Sequence, residues 1–213
     1  MCLAFVVPAA LWGCDTPKVA ADTSSMGVDG DSGTVDLDWQ EFSCEGALVS
    51  LTGEASCGER VTRSVEATTA AHVAEETPIT YADTPPLAGD HRGQWGKWGE
   101  YDYMPPQRYL HNLEHGGVAI LYDPCLDDAS KETLRAWVRA KEPDTTGAFR
   151  WVMTPYAGLP AKVGIIAWQH GLFVDCWAES DLNAAEAFLT DHYRKASEDV
   201  PFDGTYTKGW LGR

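Results

Sequence analysis

The chain changes character near residue 44, and that break limits where a fold can form. Residues 14–43 carry seven acidic side chains against one lysine, separated mostly by Gly, Ser, Thr and small apolar residues. A stretch such as GVDGDSGTVDLD holds too little apolar surface to offset the entropy of ordering it. Its like charges favour extended chain. Residues 14–43 are therefore expected to form an acidic flexible tether. The alternation of Asp and Gly lacks the Asp-x-Asp-x-Asp-Gly register and the final Glu of a calcium loop. Residues 44–213, beyond the tether, read as a single domain, long enough to bury a core of its own.

Ahead of the tether, residues 3–12 (LAFVVPAALW) form an apolar run of ten. That is too short for a bilayer span and the right size for a signal-peptide core. It leads into Leu11-Trp12-Gly13-Cys14, an order resembling a bacterial lipobox, in which cleavage precedes the cysteine and the cysteine is acylated. Residues 1–13 are thus expected to be a lipoprotein signal peptide, with Cys14 as the lipid anchor. Each buried acyl methylene contributes about 0.8 kcal/mol to such an anchor. The expected location is the bacterial cell envelope, membrane-anchored and facing the periplasm or the exterior. No run of 18 apolar residues occurs elsewhere. With 16 Lys and Arg against 32 Asp and Glu, the formal charge is −16. That balance argues against nucleic acid as a partner, since phosphate backbones are met by clustered cations.

Six cysteines are present. Cys2 leaves with the signal peptide and Cys14 is acylated, so Cys44, Cys57, Cys125 and Cys176 remain in an exported chain, where disulfides are the default. Three connectivities exist; the favoured one is Cys44–Cys57 with Cys125–Cys176, the latter joining the ends of two expected strands. No Cys-x-x-Cys spacing suggests a zinc knot or a redox pair.

Within the domain, Val118–Tyr122 is a short apolar run after two glycines and reads as a buried strand. Asp127–Glu142 has acids first, bases last and Leu134, Trp137 and Val138 on one face, the signature of a helix aligned with its dipole. Phe149–Thr154, Lys162–Trp168 and Leu172–Trp177 read as strands. Asp181–Ala196 reads as a second main helix. The order strand, helix, three strands, helix predicts an α+β fold with a mixed sheet.

Residues 78–117 break this regularity, being rich in Pro, Gly, Trp, Tyr and His. Long aperiodic stretches inside compact domains are usually functional. The stretch ends in His111-Asn112-Leu113-Glu114-His115-Gly116-Gly117. On a helix, His111 and His115 share a face with Cβ atoms about 5–6 Å apart, close enough to chelate one divalent ion. Pro85-Pro86-Leu87-Ala88-Gly89-Asp90-His91 brings a third histidine out of a stiff turn. Taken with Tyr81, Trp98-Gly99, Tyr101 and Tyr122, these segments resemble the bacterial family called domain of unknown function 3105, with its PPxSGxH and HxLEHG motifs. The resemblance spans roughly residues 72–170. Ala88 stands where the family pattern usually has Ser, so no role for that hydroxyl carries over, and the resemblance implies no established reaction.

Three functions stay open at this point. The first is an envelope lipoprotein that binds a divalent transition metal through His91, His111, His115 and Glu114; the ligand types suit Zn(II) or Cu(II). The second is a zinc hydrolase, since His-x-x-Glu-His is the inverted zincin order and would make Glu114 the catalytic base. Against it, Gly116-Gly117 end the helix directly after the second histidine. The third is a structural or interaction lipoprotein whose histidines only pack. No GxSxG elbow, Walker loop or GxGxxG loop is present, so no nucleotide cofactor is expected. Protein partners are not specified by the sequence.

Overall fold

The computed structural model describes residues 40, 59–67 and 69–213. The signal peptide, Cys14, nearly all of the tether, Cys44 and Cys57 lie outside the described residues. Among the described residues no helix is long and apolar enough to cross a membrane.

Among the same residues, nine strands and three helices succeed one another: β1 (Arg60–Ser64), β2 (His72–Val73), β3 (His91–Arg92), β4 (Gly99–Tyr101), α1 (Pro106–Glu114), β5 (Val118–Tyr122), α2 (Asp128–Arg139), β6 (Trp151–Pro155), β7 (Val163–Ala167), β8 (His170–Val174), α3 (Glu179–His192) and β9 (Trp210–Gly212). Seven strands form one sheet in the order β1-β8-β7-β5-β6-β4-β9. β6 runs parallel to both β4 and β5, and every other pairing in it is antiparallel. The fold is α+β with a mixed sheet, as the element order predicts.

β5, β6 and β7 are buried at every residue because both faces of the sheet are covered. Strand side chains alternate between faces, so Val118, Ile120 and Tyr122 pack with Leu134 and Val138 of α2 and Ala185, Phe188 and Leu189 of α3. Ala119 and Leu121 face the other way, toward Tyr109, Leu110 and Leu113 of α1 and toward Leu87, Trp98 and Met104 from irregular chain. Asp127 caps α2 by accepting from the Ser130 N–H at 2.9 Å. Asp181, at the third position of α3, accepts from the Ala178 N–H and pairs with Arg60.

α1 is a third helix beyond the two main ones expected. Pro105 and Pro106 open it, where a missing N–H costs nothing. Its end is a Schellman turn: Gly117 N–H donates to Asn112 O, Gly116 N–H donates to Leu113 O, and Gly116 adopts φ +83°. A Cβ on Gly117 would lie 2.5 Å from the Trp98 ring, so the chain leaves the helix through a gap that only glycine fits.

A Cys125–Cys176 bond is not shown among the described residues.

Candidate metal centre

Four elements converge on the outer side of α1. β2 and β3 pair in parallel with His72 directly opposite His91. β3 packs against α1, which carries His111 and Glu114 three residues apart and so on one face. The segment after α3 folds back across the helix end: Arg194, Glu198 and Val200 N–H groups donate to the carbonyls of Gly116, Glu114 and His115. Those bonds satisfy helix-end carbonyls that would otherwise be orphaned. Arg150, fully buried, donates to the His115 carbonyl at 2.8 Å and pairs with Asp199, fixing the segment from below.

Each of the two buried central histidines is oriented by a backbone carbonyl. His91 Nδ1 lies 2.9 Å from Gly89 O, and His111 Nδ1 lies 2.8 Å from Arg92 O. A carbonyl only accepts, so Nδ1 of both rings carries the proton and donates, which leaves Nε2 with a lone pair in the neutral ring. His91 Nε2 then faces Glu114 Oε2 at 3.1 Å with no hydrogen-bond partner of its own. That distance is spanned either by a proton, as in an imidazolium–carboxylate pair, or by a metal cation. Donor atoms of His72, His91, His111 and Glu114 all lie within 4.8 Å of one another. A zinc ion with bonds of about 2.0–2.1 Å would draw such donors to about 3.3 Å apart, within reach of side-chain rotation.

Burial is the main influence on the imidazoles. It pushes His111 down to about 4, against the opposing pull of the Arg92 carbonyl and with help from the neighbouring histidines. It also lowers His115, although Glu198 and Glu114 pull the other way. Burial pushes the Glu114 carboxyl up, but the pull of the His91 ring, with that of Ser197, outweighs it and holds the carboxyl below its ordinary value. At neutral pH the cluster therefore presents neutral His111 and His115 rings and an ionised carboxylate, the forms a metal takes.

Three of the four expected ligands, His91, His111 and Glu114, come together. His115 is also adjacent, its Nε2 3.0 Å from His111 Nε2, but it falls outside the four-donor group and faces Glu198 Oε2 at 3.0 Å. His72 takes its place. Sequence spacing could not single out His72, because a two-residue strand has no periodicity; only its register opposite His91 selects it. Glu198 was equally hidden, 84 residues from Glu114 along the chain.

Trp95 closes one wall, with ring centroids 4.9 Å from His111 and 4.5 Å from His115. Trp98 is instead a core residue. Asn112 fixes the Trp95 loop by accepting from Gly96 N–H and donating to Gly96 O. Solvent reaches the cluster from two sides. One cleft, of about 820 Å³, is bordered by His72, Gly93 and the Arg108–Glu75 ion pair. Another, of about 480 Å³, is bordered by Glu114, Trp168 and Ser197. His170 and His192 stack on each other at 4.0 Å and take no part in the centre.

The model of a family described as "Protein of unknown function (DUF3105)" matches residues 72–209, which include every residue of this cluster. No curated protein and no solved structure matches the chain.

Proposed function

The chain belongs to the DUF3105 family of proteins of unknown function, and from its site we propose that it is a divalent transition-metal-binding protein of the cell envelope. The observation that carries this reading is the pair of carbonyl-oriented histidines. Metal-bound imidazoles characteristically donate their second N–H to a carbonyl or carboxylate, which fixes ring and tautomer. His91 and His111 both do so, and both belong to the donor group that includes Glu114. Three imidazoles and one carboxylate suit Zn(II) or Cu(II). His72, the exposed member, is the ligand on the solvent side, where an ion enters.

Binding is favoured over zinc-dependent hydrolysis. In the inverted zincin arrangement both histidines of His-x-x-Glu-His hold the metal and the Glu stands back as a base. Here Glu114 does not stand back as a base but faces His91 as a fellow ligand.

The test is mass action on stability. Zinc or copper that binds only folded protein raises the melting temperature, with about 2.7 kcal/mol gained at a hundredfold excess over Kd. The shift should shrink both in His111→Ala and in Glu114→Gln. No shift and no uptake by the wild-type chain would overturn the reading.

Anchoring at the envelope is part of the same proposal. Its support is the apolar run of residues 3–12, the Leu11-Trp12-Gly13-Cys14 order and the acidic stretch behind it, which would concentrate cations near the domain. Cys14→Ser should move the protein from the membrane to the soluble envelope fraction; retention in the membrane would contradict it.

A further inference from the structure

The four-donor group leaves two good ligands idle. His115 is 4% exposed, and its Nε2 sits 3.0 Å from both His111 Nε2 and Glu198 Oε2. Because the Arg92 carbonyl occupies the His111 N–H, His111 Nε2 is an acceptor, and Glu198 Oε2 is another. His115 Nε2 therefore lies between two acceptors, a position that demands a shared proton or a metal ion. Donor separations of 3.0 Å are already close to the ligand spacing around a single ion.

Resting on the metal-binding reading above, we infer that the cluster holds two neighbouring divalent ions, each bound by two histidines and one carboxylate. The first ion takes His72, His91 and Glu114. The second takes His111, His115 and Glu198. His111 Nε2 has one lone pair and serves one ion at a time. Assigning it to the second ion leaves both with the same ligand set and uses all six donors. One ion cannot take all six, because His115 and Glu198 fall outside the donors that lie within 4.8 Å of one another.

The partition follows the architecture. The first set comes from the β2–β3 pair and Glu114 at the end of α1, while the second comes from His111, His115 and the segment strapped across the helix end. His111 and Glu114, one helical turn apart, go to different ions and hold them side by side. A His111 ring nitrogen is within 4.8 Å of every donor of the first set, compatible with the separation of about 3.5–4 Å found in two-metal sites. Three protein ligands per ion leave coordination positions open toward the clefts, where water or a small oxyanion binds.

The experiment is a stoichiometric titration of the metal-free full chain with Co(II), followed by calorimetry, optical absorption and electron paramagnetic resonance. Wild type should take two equivalents, with magnetic coupling between the ions. Glu198→Gln should take one equivalent and show an isolated-ion spectrum. Its side chain is half exposed and its backbone bond to Glu114 is kept, so the fold is retained. His72→Ala should likewise lose one equivalent while preserving the second-set ion. One equivalent in wild type, unchanged by Glu198→Gln, overturns the two-ion inference and leaves the binding reading standing. No uptake at all overturns both.

Discussion

The two faces of the central sheet are covered by different kinds of structure. One carries α2 and α3, capped, amphipathic helices laid over Val118, Ile120, Met153 and Ile165. The other carries α1, only nine residues long, set in irregular chain with Leu87, Trp98, Met104 and Tyr109 beneath it. Both bury apolar surface completely. Only the second also buries His91, Arg92, His111, Asn112, Glu114 and His115. Buried polar groups are costly unless partnered, and regular helices offer few fixed partners for them. The irregular chain supplies these as carbonyls of Gly89, Arg92 and Gly96 and as the strap after α3. One face is built for stability, while the other also gathers histidines and carboxylates in one place.

The sharpest break of this contrast is a cavity on the regular face. Leu134→Ala, at a fully buried position of α2, should cost about 2–5 kcal/mol in urea unfolding. Metal affinity of the folded fraction should stay unchanged. Loss of metal binding in that variant would mean that the two faces do not act independently.

Gly117→Ala tests the other face. The new Cβ meets the Trp98 ring at 2.5 Å, and overpacking of this kind costs about 1–3 kcal/mol. Because the clash lies at the exit of α1, it should also displace His115 and lower metal uptake, measured by calorimetry. Lost stability with intact uptake would separate the helix end from the site.

The faces should also differ in their response to acid. His111 is held near 4 in the folded protein against about 6.5 in the unfolded chain. Between those values the unfolded chain binds the extra proton, so this contribution is complete above pH 6.5 and is lost as pH falls toward 4. Urea unfolding of the metal-free protein should show that decline, and His111→Gln should flatten it. An equal decline in the variant would place the acid sensitivity elsewhere.

The smallest effect is expected from His192→Gln, which removes the stacked partner of His170. Partly exposed and away from the centre, it should change stability by no more than about 0.5 kcal/mol. Thermal melts and metal titration should both match wild type.

The same contrast decides what the sequence disclosed. Val118–Tyr122 is recognisable because its apolar run is bounded by Gly116-Gly117 and Pro124, and it forms β5 with those bounds. The helix expected over Asp127–Glu142 forms from Asp128 to Arg139, since the Asp127 cap and the apolar stripe are local signals. β1, β2, β3, β4 and β9 left no such signal. Four of them span three residues or fewer, β1 lies at a sheet edge, and all depend on partners distant in the chain. In the site, the His111/His115 spacing is a local helical property and is legible, and the two rings meet at 3.0 Å. His72 and Glu198 reach the cluster through a strand register and a strap that only tertiary packing creates.

Equilibrium binding to protein purified without a histidine tag tests metal uptake, the central claim, most directly. Metal-free chain dialysed against micromolar zinc or copper at neutral pH should retain stoichiometric ion, and His91→Ala should retain less. A wild-type chain that emerges from that dialysis without metal would contradict the claim and leave the histidines as packing residues.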